Sequence, residues 1–315
     1  MTILITGAAG FIGSELFERL VNLDDNIVGL DCFLEDSYSS KIKLSRARRI
    51  KELYNKEILN IDLRKDSLDN VLSGVDVIVN LAAMPGLIKS WTDFRLYVEC
   101  NLLTIDRILT NSNFKANRFI QASTSSVYGK FAVGNEQTLC KPFSPYGVSK
   151  LAAENLIKAY SFNFGLQYTI LRYFSVYGPN QRPDMAYSKF CNAVLNGKPI
   201  TVYGDGSAKR TNTYISDCVD ATIGAISSES KNMTFNICGS QQISVLEAIE
   251  IIGDELGIKP LVEFSEIRPG DQIETFGDSS LAKKELNFSE KISITQGLRI
   301  QACKAKENHS LRPRE

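Results

Sequence analysis

Histidine is nearly missing from this chain: 315 residues contain one, His309, in a polar C-terminal stretch. That argues against Ser-His-Asp and Cys-His hydrolases and against a His-ligated metal site, so no metal is expected. Proton transfer is left to Tyr, Lys, Asp, Glu, Ser or Thr. No C-x-x-C occurs among the seven cysteines, Cys32, Cys100, Cys140, Cys191, Cys218, Cys238 and Cys303. Their odd number and scatter favour free thiols in a reducing cytoplasm. Neither sign of charge is in excess, with 36 basic and 36 acidic residues. An electrostatic nucleic-acid binder is therefore not indicated. The apolar runs are all much shorter than the roughly 20 residues of a membrane span. Met1-Thr2-Ile3-Leu4-Ile5-Thr6 enters a strand pattern directly, so a cytoplasmic protein without a signal peptide is expected.

What is present is a large apolar fraction, 43% of residues, enough for one large domain or two intimate ones. Thr2–Thr6 reads as a buried strand, and Gly7-x-x-Gly10-x-x-Gly13 follows before a helical pattern through Leu16, Phe17, Leu20 and Val21. Between a strand and a helix, such glycines permit a tight turn, close approach of backbone to a pyrophosphate, and close helix–sheet packing. The strand 26–31 ends in Asp31, where an acid binds the adenosine ribose of a dinucleotide. No Arg follows within several residues, which favours NAD over NADP. Residues 35–56 read as a solvated basic helix. Further strands are expected at 58–63, with Asp62 near an adenine, at 75–83, at 117–124 and at 167–174. Helices are expected at 92–112 and 146–162. This alternation predicts a doubly wound α/β parallel sheet. The dinucleotide-binding domain is expected over 1–175, joined by about 212–238. A smaller α/β substrate lobe is expected from 176–211 and 239–305, and a fraying polar tail from 306–315. Ser216 or Asp217 is expected to cap one helix, and Ser244 another over 245–256.

One helix carries chemistry. Ser144-Pro145-Tyr146-Gly147-Val148-Ser149-Lys150 places a phenol and an ammonium four residues apart, on one face if a helix begins after Pro145. A fixed cation beside a phenol stabilises its anion and lowers its pKa, making a general base for neutral pH.

Taken together, Gly7-x-x-Gly10-x-x-Gly13, Asp31, Asn80-Leu81-Ala82-Ala83, Ser123-Thr124, Tyr146-x-x-x-Lys150, the run Tyr173–Pro179 and Arg268-Pro269-Gly270-Asp271 resemble the extended short-chain dehydrogenase/reductases, and among them the nucleotide-sugar epimerases. The resemblance covers nearly the whole chain. It implies a Rossmann domain holding NAD through Gly7, Gly10, Phe11, Ile12, Gly13, Asp31, Asp62, Leu63, Leu81, Ala82, Ala83, Asn101, Ser123, Tyr146, Lys150 and Tyr173. It implies catalysis by Thr124, Tyr146 and Lys150 on a UDP-sugar, with NAD regenerated at each turnover. Related 4,6-dehydratases carry Asp-Glu after the Thr, and related decarboxylases carry Glu at the position of Ser126. Here Ser125-Ser126 stand instead, which favours simple epimerisation. The segment Tyr177–Ala186 is similar to that of UDP-glucuronate 4-epimerases, as are Ala83–Gly86 and Ser90-Trp91. On that likeness Arg182 would hold the C6 carboxylate, with Thr124, Ser125, Ser126 and Ser175 keeping it from leaving as CO₂. Arg210 and Arg268 would bind the phosphates, Asp271 the uridine ribose, and Tyr203 would lie near the uracil. Lys209-Arg210-Thr211 departs from the Arg-Asp-Phe/Tyr usual in relatives. Met84 stands where some glucose-type epimerases place a Lys. A 4-epimerase of neutral UDP-glucose or UDP-N-acetylglucosamine, and more remotely a non-catalytic NAD-binding protein, remain as alternatives. The resemblance also implies a homodimer through the helices at 92–112 and 146–162.

Overall fold

The computed structural model describes residues 1–311 apart from 24, 25, 36 and 37. The first half of the chain is β1 (Ile3–Thr6), α1 (Phe11–Val21), β2 (Ile27–Asp31), α2 (Ser40–Tyr54), β3 (Ile58–Asn60), α3 (Asp69–Leu72), β4 (Val77–Asn80), α4 (Phe94–Val98), α5 (Thr104–Leu109), β5 (Arg118–Thr124), β6 (Phe131–Gly134), α6 (Pro145–Phe164) and β7 (Tyr168–Tyr173). The remainder is β8 (Val176–Tyr177), α7 (Ala186–Leu195), β9 (Ile200–Tyr203), β10 (Lys209–Thr211), β11 (Thr213–Tyr214), α8 (Ile215–Ser227), β12 (Met233–Ile237), β13 (Gln242–Ser244), α9 (Val245–Leu256), β14 (Val262–Ser265), β15 (Glu274–Gly277), α10 (Ser280–Leu286) and α11 (Ile294–Ser310).

Seven strands pair in the order β12-β7-β5-β4-β1-β2-β3, every pair parallel. In β1 successive side chains feed opposite cores. Ile3 and Ile5 join Leu16 and Phe17 of α1, whereas Leu4 joins Ile105, Ile108, Ala153 and Ile157 of α5 and α6. A strand buried on both faces has to be apolar at every position, which is why these runs show no alternation. The chain reverses direction between β1 and β4, and the loops after those strands open a crevice at the carboxyl edge of the sheet.

The second lobe carries a four-stranded sheet, β13-β10-β15-β6, and the pair β14-β9. β12 lies in the large sheet, so the chain returns to the first domain after crossing into the second. Several local expectations need correcting. β6, within the stretch assigned to the dinucleotide domain, pairs with β15 of the lobe. The helix expected over 92–112 is α4 and α5 joined by a π turn at Glu99–Leu103. Neither Ser216 nor Asp217 caps α8: Tyr214 holds the N-cap position with no side-chain bond. Asp217 instead accepts from the backbone N–H groups of Lys291 and Ile292 at 3.1 and 3.2 Å, so its carboxylate tethers the lobe's last connection. Ser244 does cap α9, in a capping box with Glu247. The segment 306–310 continues α11, and the rest of the expected tail, 312–315, lies outside the described residues.

Candidate active site

The crevice between the two lobes has a volume of about 1630 Å³. That exceeds the roughly 300–1,000 Å³ of a pocket for one small ligand, leaving room for a dinucleotide and a second molecule end to end. All the residues proposed from sequence for cofactor and substrate lie on its wall except Asn101. Asn101 sits in the π turn, where its amide is fully engaged by Met84 and Ser149. Oδ1 accepts from Met84 N at 2.6 Å, and Nδ2 donates to Met84 O and Ser149 Oγ, both at 3.0 Å. It therefore ties the loop after β4 to the helix bearing Tyr146 and Lys150.

The Gly-rich turn has the form a pyrophosphate needs. Gly7 has φ +69°, and a Cβ there would lie 2.9 Å from Ala82 N. A Cβ on Gly13 would lie 2.1 Å from Gly7 O, so only glycine lets α1 start this close to β1. Gly10, the N-cap, brings no side-chain acceptor, and Phe11, Ile12 and Gly13 open α1 on the crevice wall. Amide donors at such an end favour an anion. Asp31, 4% exposed, ends β2 and accepts from Phe33 N at 2.8 Å. Lys43 of α2 reaches the same carboxylate at 3.3 Å. Sequence proximity alone missed that cation, because one turn of helix brings it back from twelve residues away. Asp62 is held by Arg64, Nε to Oδ1 at 2.9 Å and NH2 to Oδ2 at 2.7 Å, and the bond keeps its carboxyl below the usual range. These groups fit a dinucleotide: anion-binding amides at one place, a ribose-type acid at a second, and a half-open polar wall at a third.

Ser144 caps α6 by accepting from Gly147 N at 3.1 Å, and Pro145 occupies the first turn. Tyr146 and Lys150 follow on the first two turns and face the crevice, with Lys150 buried. Burial pushes the Lys150 ammonium down to about 8, and Glu154 opposes that fall. Burial also raises the Tyr146 phenol, against the lowering expected from the neighbouring lysine; a hydrogen bond with Thr124 and the charge of Arg182 pull it back. Desolvation outweighs these neighbours, because both groups are packed into the protein wall of the crevice. Tyr97 of α4 packs edge-on to Tyr146, with ring centroids 6.1 Å apart.

Thr124 ends β5 and accepts from Ser126 N at 3.1 Å, opening a 3-10 turn over Ser125–Tyr128. Gln272 of the lobe anchors that turn. It donates to Ser125 O at 3.2 Å and Gly129 O at 2.9 Å, and accepts from Ser125 Oγ at 3.4 Å. Arg182 is largely covered and forks onto Asp184 at 3.0 and 2.6 Å, with its guanidinium 5.7 Å from the Tyr38 ring centroid. Ser175, after β7, completes this part of the wall. At the far end, Arg268 lies 3.9 Å from the Tyr203 ring centroid and pairs with Asp271 at 3.0 Å. Arg210 donates to Ile273 O at 2.9 Å and to Gln272 O, so it orders the same loop. Gln272, Asp184 and Tyr38 were missed from sequence. Asp184 and Gln272 sit two and one residues beyond residues that were identified, and adjacency was the available signal.

Residues 3–238 match the family described as NAD dependent epimerase/dehydratase. Over 303 residues, 95% of this chain and 96% of the other, the chain is 39% identical to an uncharacterized UDP-glucose epimerase, YtcB, of Bacillus subtilis strain 168. It is 33% identical to a UDP-glucuronate 4-epimerase of Thermodesulfobacterium geofontis, covering 98% and 97% of the two chains. Its fold is similar to the UDP-glucuronic acid 4-epimerase of Bacillus cereus, a structure in complex with UDP-glucuronic acid and NAD. The TM-score is 0.94 at 36% identity, with 98% of this chain and 100% of that one covered.

Proposed function

We infer the activity from the premise that the chain belongs to the NAD dependent epimerase/dehydratase family. It is an isomerase that interconverts UDP-glucuronate and UDP-galacturonate at C4 with resident NAD. The observation that carries the reading is the setting of Tyr146. It has a hydrogen bond with Thr124, the charge of Arg182 acting on it, and a following turn, Ser125-Ser126, that offers hydroxyls in place of carboxylates.

Gly7 to Gly13 and the first amides of α1 would hold the cofactor's pyrophosphate, Asp31 its adenosine ribose, and Lys150 the ribose beside Tyr146. NAD held there would supply the reversible acceptor for the C4 hydride. Tyr146 Oη removes the proton of the sugar 4-hydroxyl, and the Lys150 ammonium stabilises the phenolate. Thr124 holds the same sugar oxygen, so that it stays beside the phenol as its C–O bond becomes a carbonyl. The keto sugar turns over about its pyrophosphate tether so that the opposite face of C4 is presented for reduction, and Tyr146 returns its proton to the C4 oxygen.

A 4-keto uronate is a β-keto acid and loses CO₂ readily. Arg182 binds the carboxylate, and the hydroxyls of Thr124, Ser125, Ser126 and Ser175 hold it in the ring plane, away from the alignment that decarboxylation requires. UDP-pentose as the main product from UDP-glucuronate would overturn this part. A second reading, epimerisation of neutral UDP-glucose, is favoured by the designation of the Bacillus subtilis relative. Turnover of purified protein with UDP-glucuronate, UDP-glucose and UDP-N-acetylglucosamine decides between them; the uronate is expected to have the highest kcat/KM.

Arg268, Tyr203, Asp271 and Arg210 serve the UDP. The seven unpaired thiols fit a reducing cytoplasm. The partner of α4 and α6 is a second copy of the chain, since Phe94, Leu103 and Val148 leave apolar surface exposed there.

A further inference from the structure

We infer that Glu154 is a positioning residue of the reaction: its buried carboxylate, one turn of α6 beyond Lys150, fixes the strand end that carries Thr124 and sets the electrostatic surroundings of that ammonium. The proposal rests on Tyr146 and Lys150 being the acid–base pair. Glu154 is wholly buried, and Lys150 is 3% exposed. Residues four apart on a helix share a face, so Glu154 and Lys150 lie on the same side of α6, one turn apart. Ser123 Oγ donates to Glu154 Oε1 at 2.5 Å, which locks the residue before Thr124 onto α6. Arg172 of β7 forks onto the same carboxylate, Nε to Oε1 at 3.0 Å and NH2 to Oε2 at 2.7 Å. Arg172 NH1 also donates to Tyr128 Oη at 2.8 Å, at the end of the Ser125–Tyr128 turn. Tyr128 in turn donates to Asn236 Oδ1 of β12 at 2.7 Å. One carboxylate thus joins the helix of Tyr146 and Lys150, the strand of Thr124 and the hydroxyl turn that meets the sugar.

A purely structural ion pair would also be buried and well bonded. The distinction is electrostatic. The ionisable groups around Lys150 and its carboxylate are Tyr146, Glu154 and Lys158 on α6, Tyr97 on α4, Tyr128 after β5, and Cys140 and Glu136 between β6 and α6. Tyr168 and Arg172 face it from β7, and Arg182 from across the crevice. Among these Glu154 is the charge that acts on Lys150, holding the ammonium up against burial. Removing it lets Lys150 lose its proton at lower pH, and a neutral amine cannot stabilise the phenolate.

The test is the pH profile of kcat for the NAD-loaded protein, using whichever UDP-sugar it turns over. It is run for wild type, Glu154→Gln, Glu154→Asp and the double variant Glu154→Gln/Arg172→Gln. Ultraviolet titration of tyrosinate, referenced to Tyr146→Phe, accompanies it. The wild-type alkaline limb is expected near 8. In Glu154→Gln it moves down by about one pH unit, so kcat falls about fivefold near pH 8 and about tenfold well above it, while KM stays put. Glu154→Asp, which keeps the charge, keeps the limb. The double variant also removes the Arg172 guanidinium that Glu154→Gln would leave buried without its carboxylate, and it reports the same shift if the single variant does not fold. Limbs and tyrosinate titrations superimposing on wild type in both Gln variants would overturn the proposal. An active Tyr146→Phe would instead sink the acid–base reading on which it rests.

Discussion

At the scale of single residues the site depends on where water is excluded. Tyr146 and Lys150 are both pushed toward their neutral forms by burial, and only specific neighbours offset this. Tyr146→Phe removes the proton acceptor and leaves the ring packed against Tyr97. We expect kcat to fall by about 10²–10⁴-fold with NAD retained, measured by sugar-nucleotide chromatography and by cofactor release on denaturation. The sign of the pH dependence follows from Lys150, whose folded pKa is lowered to about 8 from 10.5. Below that value the ammonium is present and the phenolate is stabilised; above it both are lost. Activity should therefore decline as pH rises through 8, and a profile flat to pH 10 would contradict the assignment. Arg182→Ala strips the charge we propose for the uronate and strands Asp184 beside it. The kcat/KM for UDP-glucuronate should drop by about 10- to 100-fold, with a smaller loss for UDP-glucose. Equal losses for both sugars would remove Arg182 from carboxylate recognition.

At the scale of elements, the start of α1 is the tightest constraint. Gly13→Ala would drive a methyl to 2.1 Å from Gly7 O, where backbone rather than a movable side chain is in the way. The helix must retreat, which costs about 1–3 kcal/mol and misaligns its first amides. Purified Gly13→Ala should carry less NAD and melt several degrees lower; full occupancy would show that the turn tolerates the shift. The π turn at Glu99–Leu103 is a second device. The extra residue in that turn places Asn101 inward, where it joins Met84 to Ser149. Such a turn has no strong mark in the hydrophobic pattern, because it adds one residue to an otherwise helical period.

For the whole molecule, the exchange of elements between lobes matters most. The chain returns from the lobe to add β12 to the large sheet, and β6 leaves the first domain to pair with β15. Gln272 then crosses from the lobe to the Ser125 turn. The Ser125–Tyr128 turn and the second lobe are consequently parts of one framework. The outer surface of α4 and α6 carries exposed Phe94 and Val148, with Leu103 in the π turn between α4 and α5. A dimer through this surface predicts that Leu103→Glu/Val148→Glu shifts the sedimentation mass from two chains toward one. An unchanged mass would place the interface elsewhere or show a monomer.

The sequence alone determined the alternation of strands and helices, the Gly-rich turn, Asp31 at a strand end and the Tyr146–Lys150 spacing. Each of these is written in local chemistry: apolar runs for strands buried on both faces, glycines where no Cβ fits, a period of 3.6 on one helix. It also marked the acid-free Ser125-Ser126 turn, because the absence of a carboxylate is visible without coordinates. Only the tertiary structure decided which charges sit on the site's ionisable groups. Lys43 on Asp31, Arg64 on Asp62, Asp184 on Arg182 and Arg172 on Glu154 are set by how helices and loops return to the sheet. It decided too that Asn101 braces the site from behind, and that burial raises the phenol which the lysine was expected to lower. Desolvation depends on everything packed around a group, and that sum cannot be read from the residues next to it in the chain.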